Sequence, residues 1–116
     1  MKCHIYGIPN CDTMKKACAW LADHGIEAIF HDYKKECISK EMLSAWCVQL
    51  GWETLLNKRG ATWRRLPESE RTGVNEDKAI ELMLGNPSLI RRPVLDVEGK
   101  FYAGFSAGHY SRIFLP

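Results

Sequence analysis

No Cys-x-x-Cys pair and no His-x(3–5)-His pair occurs anywhere in the 116 residues. The spacings of zinc ribbons and zinc fingers are therefore missing, and so is a local dithiol motif. No apolar run is long enough to span a bilayer. The first residues, Met1-Lys2-Cys3-His4-Ile5-Tyr6-Gly7, lack the sustained apolar stretch of a secretory signal. Charge of one sign is scarce as well. Sixteen Lys and Arg face 14 Asp and Glu, a formal net charge of +2, so no broad basic field draws the chain to nucleic acid or to a membrane. Internal repeats, linkers and low-complexity segments are absent. The five cysteines are an odd number without the dense spacing of a secreted disulfide scaffold. Free thiols in a reducing compartment are the simplest reading, which predicts the cytoplasm.

What is present is an ordinary globular composition, 46% hydrophobic and 26% charged, at a length that suits one domain over residues 1–116. Residues 3–7 read as a strand running into a Gly-Ile-Pro-Asn turn. A helix is expected from about Asp12 to His24, with Met14, Ala17, Cys18 and Leu21 on its core face, stopped by Gly25. Glu27 to Tyr33 reads as a second strand, and the βαβ spacing predicts parallel pairing with the first. Between about 38 and 88 the pattern turns helical. Ser39 can cap a helix that buries Met42, Leu43, Trp46, Cys47 and Leu50. Short helical pieces fit Trp52–Leu56 and Trp63–Leu66. Asn75 can cap another helix that turns Ala79, Ile80, Met83 and Leu84 inward, and Asn86-Pro87 ends it. Pro93–Val97 and Phe101–Gly104 form a hairpin around Glu98-Gly99-Lys100. Ser106 can cap a last helix reaching about Phe114. The order is βαβ, a helical insertion, then ββα: an α/β fold with a mixed sheet of about four strands.

Cys11 is the leading chemical candidate. It follows a Gly- and Pro-containing turn and immediately precedes a helix, where unpaired backbone N–H groups and the positive end of the helix dipole favour a thiolate. A lowered thiol pKa raises the reactive fraction at neutral pH. Lys15, one turn on, adds a positive charge. Cys3 is expected at the start of a central strand, and Cys18 and Cys47 on core faces. Seven residues of helix hold Cys11 and Cys18 roughly 10 Å apart, too far for a disulfide. Cys37, in a loop, is the one other partner left open. Catalysis through Cys11 then needs an outside thiol. Arg92 or Arg59 can clamp a carboxylate or oxyanion bidentately. The Arg92-Pro93 bond, read alone, is expected to be trans. Adjacent residues of extended chain point to opposite sides, so Arg91 and Arg92 both remain candidates to face the thiol.

Several segments carry a resemblance: Cys11-Asp12-Thr13-Met14-Lys15-Lys16-Ala17 after Tyr-Gly-Ile-Pro, Gly51-Trp52-Glu53 with Leu55-Leu56-Asn57-Lys58-Arg59-Gly60, Trp63-Arg64-Arg65-Leu66, and Asn86-Pro87 with Ile90-Arg91-Arg92-Pro93-Val94. Together they resemble the arsenate reductase/Spx family, most closely its YffB-type branch, along nearly the whole chain. The resemblance implies a thioredoxin-like fold with a helical insertion and a cis proline at Pro93. It also implies an active site joining Cys11, the loop around Arg59, and Arg92-Pro93. Glutaredoxin-coupled arsenate reductases place a third arginine where Gly104 stands, a histidine at Gly7 and a serine at Met14. Their first clamp arginine aligns with Asn57 rather than Arg59. Spx regulators typically have a second cysteine at the position of Met14.

These readings predict a glutathione-dependent monothiol reductase. Cys11 would be the catalytic thiol, with Lys15, Arg59, Arg92 and Pro93 binding glutathione or stabilising the thiolate. No metal or bound cofactor is expected, and glutathione serves as cosubstrate. The recycling partner is glutathione or a glutaredoxin-type donor, with no direct nucleic-acid or membrane partner. The alternatives are reduction of an arsenate-like oxyanion, or a Spx-like module that docks on RNA polymerase without catalysis.

Overall fold

The computed structural model describes residues 2–116. Its elements are β1 (Lys2–Gly7), α1 (Asp12–Asp23), β2 (Glu27–Asp32), α2 (Lys40–Leu50), α3 (Trp52–Leu55), α4 (Ala61–Arg65), α5 (Glu68–Arg71), α6 (Glu76–Gly85), a 3-10 turn at Pro87–Leu89, β3 (Val94–Val97), β4 (Lys100–Ala103) and α7 (Ala107–Phe114). The sheet order is β2-β1-β3-β4. β1 pairs in parallel with β2, from Lys2 opposite Glu27 to Gly7 opposite Asp32. β3 runs antiparallel to both β1 and β4. This is the mixed four-stranded sheet that the βαβ and ββα patterns imply, in the thioredoxin-like form that the resemblance implies.

The alternation of β1 explains why the sheet is covered on both sides. Cys3, Ile5 and Gly7 are buried on one face, and His4 and Tyr6 are half-buried on the other. The first face packs Cys3, Ile5 and Leu95 against Met14, Ala17, Trp20 and Leu21 of α1 and Tyr110 of α7. The second packs Tyr6, Val94 and Phe101 against Leu43 and Trp46 of α2, and the apolar contacts continue through Leu55, Ile80 and Met83 to Leu89 and Ile90. The caps follow sidechain chemistry. Ser39, Asn75 and Ser106 accept from the backbone N–H groups of Met42, Lys78 and His109, each satisfying a donor that the helix leaves open.

One expectation needs correction. Cys18 does not face the core; it is exposed, and the buried stripe of α1 runs Met14, Ala17, Trp20, Leu21. Trp20 takes the inward place because its ring meets Tyr110 edge-on at 5.6 Å and lies 6.0 Å from Phe114. In α6, Leu82 joins Ala79, Ile80 and Met83 as buried, and Leu84 packs half-buried against the same core. α5 and the 3-10 turn are short elements that no hydrophobic period announces.

Gly7 is fixed by packing rather than by its backbone. A Cβ at this position would overlap the Met14 sulfur and lie 2.7 Å from its Cε. The glycine and methionine at these two positions thus form one complementary contact at the base of α1. Gly7→Ala is expected to cost about 1–3 kcal/mol, measured by chemical denaturation, because the Met14 side chain is itself only 3% exposed.

Candidate active site

The turn after β1 delivers Cys11 to the site. Asn10 adopts a left-handed φ of 63°, a conformation that asparagine tolerates better than most residues. Cys11 then takes extended dihedrals as the N-cap of α1. Its sulfur sits where an N-cap side chain faces the first free N–H groups of the helix. No conventional cap hydrogen bond forms, yet the N–H groups of Met14 and Thr13 lie close enough to stabilise negative charge. Partial burial pushes the thiol pKa up. The Met14 N–H, the Arg92 guanidinium with its charge, and the Thr13 N–H outweigh that cost, and the net shift is downward. Burial raises the thiols of Cys3, Cys18 and Cys47 instead. Cys11 is therefore set apart from those three by its surroundings.

A cavity of about 490 Å³ opens at the sulfur, lined by Cys11 at the N-cap of α1 and Thr13 within it, Glu53 and Thr54 from α3, Asn57, Lys58 and Arg59 from the following loop, and Arg91 and Arg92 from the segment before β3. This volume lies within the roughly 300–1,000 Å³ usual for small-molecule sites. The Arg91–Pro93 segment is held from several directions. Arg91 N–H donates to the Leu55 carbonyl, and Gly104 N–H donates to that of Pro93. The buried Tyr33 hydroxyl donates to the Arg91 carbonyl at 3.0 Å. Arg92 is half-buried and its Nη1 donates to the Ser88 carbonyl at 3.1 Å. The Arg92-Pro93 peptide is cis, as the family resemblance implies and against the expectation for an isolated X-Pro bond.

The loop carrying Arg59 is ordered by its own polar groups. Asn57 N–H donates to the Leu89 carbonyl, and Asn57 Oδ1 accepts from Arg59 N–H at 3.0 Å. Arg64 Nη1 donates to the Arg59 carbonyl. Lys58 Nζ lies 5.5 Å from the ring centres of both Trp52 and Trp63, a cation–π clamp that restrains the loop further.

The structure brings Cys11, Arg59 and Arg92 around one cavity, with Pro93 buried behind them. Lys15 does not join them. It lines a separate shallow hollow with Ile8, Pro9, Asn10, Met14, Cys18 and Phe30, because an N-cap residue turns its side chain back over the helix end. Both Arg91 and Arg92 reach the cavity, rather than one of the two. The Arg91 guanidinium lies over Gly104, where a Cβ would come within 3.1 Å of its Nε. Thr13 and Glu53 also line the site, although no motif in the sequence singled out their chemistry.

The Arg92 contribution has a direct readout. Alkylation of Cys11 tracks the thiolate, so its rate rises with pH through a midpoint below the ordinary thiol value. Arg92→Gln removes a stabilising charge and is expected to move that midpoint upward, lowering the rate below the midpoint on the order of tenfold. The same sign governs stability: the contribution of a depressed thiol is present above its unfolded pKa and is lost as pH falls through the folded one. A midpoint unmoved in Arg92→Gln would assign the shift to the backbone N–H groups alone.

Comparison with known proteins places the chain in a family. Residues 6–113 match the ArsC family. The solved structure of a YffB protein superposes with a TM-score of 0.91 at 47% identity, covering 95% of this chain and 96% of the other. An arsenate reductase related protein from Brucella melitensis is 50% identical, with a TM-score of 0.81, over 100% and 97% of the two chains. The global transcriptional regulator Spx of Enterococcus faecalis is 29% identical over 114 residues, 97% of this chain and 85% of that one. With a thiol at a helix start, basic side chains around it and a family match over nearly the whole length, the chain belongs to the ArsC family.

Proposed function

We propose that the protein is a glutathione-dependent monothiol reductase acting through Cys11. One observation carries the reading. Lys58, Arg59, Arg91 and Arg92 surround a thiol of lowered pKa, and none of the four forms an ion pair with a carboxylate among the described residues. Four cations without a carboxylate partner beside a nucleophile suit a small thiol compound that carries carboxylates. No other cysteine lines the cavity among the described residues, so the disulfide that forms on Cys11 must be opened by an external thiol.

The Cys11 thiolate attacks the glutathionyl sulfur of a mixed disulfide between glutathione and a substrate thiol, for which oxidised glutathione is the simplest probe. The Cys11–glutathione S–S bond forms, the original S–S bond breaks, and the partner sulfur leaves as a thiolate. A second thiol, from glutathione or a glutaredoxin-type donor, then attacks the glutathionyl sulfur and releases Cys11. Backbone groups beside Pro93 support the tripeptide as a short added strand. Arg59 and Arg92 bind carboxylates or hold the thiolate. Such a cycle belongs in a reducing compartment, the cytoplasm. Incubation with oxidised glutathione is expected to give a mixed disulfide at Cys11, located by peptide mass spectrometry and reversed by a glutaredoxin. A protein that stays unmodified would overturn the reading.

Two other readings have observations of their own. The same cationic wall suits an arsenate-like oxyanion, which predicts glutathione- and glutaredoxin-dependent arsenate turnover that Arg92→Ala abolishes. The relationship to Spx supports a module that docks on RNA polymerase; it predicts co-purification with polymerase, unaffected by Cys11→Ser.

A further inference from the structure

The cavity wall is cationic with one exception. Glu53 is the only carboxylate among its lining residues. It stands beside Thr54 on α3, while Lys58, Arg59, Arg91 and Arg92 occupy the following loop and the segment before β3. No Lys, Arg or His lies within 4.0 Å of its carboxylate among the described residues. Glu53 is exposed and makes no close ion pair with its cationic neighbours. Nor does it help to hold an anion: a carboxylate in an anion-binding cavity repels the ligand wherever the two come close. Its presence is productive when the ligand itself carries a positive charge at that end.

We infer that Glu53 forms a subsite for the ammonium group of the bound thiol compound, making the cavity selective for a zwitterion over a plain polyanion. The inference rests on the glutathione reading and deepens it. A tripeptide in extended form spans roughly 10 Å, and glutathione carries two carboxylates and one ammonium group, remote from its sulfur. The carboxylates fit the arginine and lysine wall, and the γ-glutamyl ammonium is the group that Glu53 recognises. A carboxylate–ammonium contact is a charge-assisted hydrogen bond with directional preference. The surrounding cations disfavour that ammonium everywhere else in the cavity. Glu53 thereby fixes which end of the peptide lies at α3.

The test compares oxidised glutathione with its bis-N-acetyl derivative. Acetylation removes the ammonium charges and leaves the carboxylates and the disulfide in place, so the derivative is more anionic. Attraction by the cationic wall alone predicts that the acetylated disulfide reacts faster. An ammonium subsite predicts the reverse. Rate constants for mixed-disulfide formation at Cys11, followed by mass spectrometry at low salt, are expected to favour the free-amine disulfide by about fivefold in the unaltered protein. In Glu53→Gln the ratio is expected to fall to one or to invert. Because each protein is compared across two ligands, a variant that is merely less well folded loses rate on both and keeps its ratio. Equal or faster reaction of the acetylated disulfide with the unaltered protein overturns the subsite while leaving the glutathione reading intact. An unchanged ratio in Glu53→Gln assigns the preference elsewhere and also overturns it. Failure of both disulfides to modify Cys11 overturns the glutathione reading itself and the subsite with it.

Discussion

Cys11→Ser is expected to abolish rapid mixed-disulfide formation with oxidised glutathione, lowering the rate at neutral pH on the order of a hundredfold or more. The size of the effect follows from the other sulfurs. Cys3 and Cys47 are buried, and burial pushes both thiols up. Cys18 is exposed, yet desolvation also raises it. Cys37 is exposed in a turn with a left-handed φ of 50° and lies outside the cavity around Cys11. Four thiols thus remain in the variant, none of them facing helix N–H groups and Arg92 as Cys11 does. Stopped-flow or quenched mass spectrometry on the two proteins checks the expectation. A fast phase surviving in Cys11→Ser, with the adduct on Cys37, would move the chemistry to the loop before α2.

The position of the thiol was legible because the signal is local. A turn with Gly7 and Pro9, a cysteine, and a helix period starting at once define an N-cap, and the cap supplies the electrostatics. The mixed sheet was legible for the same reason, since each strand carries its own run of β-forming residues and three of the helices open on a capping Ser or Asn. What the sequence could not show depends on contacts between distant segments. Cys18 fits the i, i+3, i+4, i+7 stripe counted from Met14, and Trp20, at i+6, does not. The choice between them is made by Tyr110 and Phe114, some 90 residues later. Lys15 is one turn from Cys11, but spacing along a helix axis does not describe an N-cap residue, whose backbone has left the helix. Glu53 stands in the quoted Gly51-Trp52-Glu53 segment, but nothing in that segment marks its carboxylate, and its place opposite four cations is visible only when α3 is placed beside the Arg91–Arg92 segment.

Trp46→Ala is expected to lower the unfolding free energy by about 3–5 kcal/mol, against a typical total of roughly 5–15 kcal/mol. Trp46 is 2% exposed and lies where α2 meets the sheet. Its ring meets Tyr6 at 5.1 Å, Tyr33 at 6.2 Å and Phe101 at 6.4 Å. Truncation leaves a cavity with strand residues on one side and the chain just after β2 on the other, and close-packed neighbours relax only in part. The loss reaches the active site through Tyr33. That side chain packs on Trp46 and donates its hydroxyl to the Arg91 carbonyl, holding the segment that carries Arg91, Arg92 and Pro93. Denaturant unfolding measures the first effect, and the pH midpoint of Cys11 alkylation measures the second. Tyr33→Phe separates them, because it keeps the ring against Trp46 and removes only the hydrogen bond. A site positioned through this contact shows a raised alkylation midpoint in both variants, with the larger stability loss confined to Trp46→Ala. A midpoint unchanged in Tyr33→Phe would show that the Leu55, Ser88 and Gly104 hydrogen bonds suffice to hold Arg92 beside the sulfur.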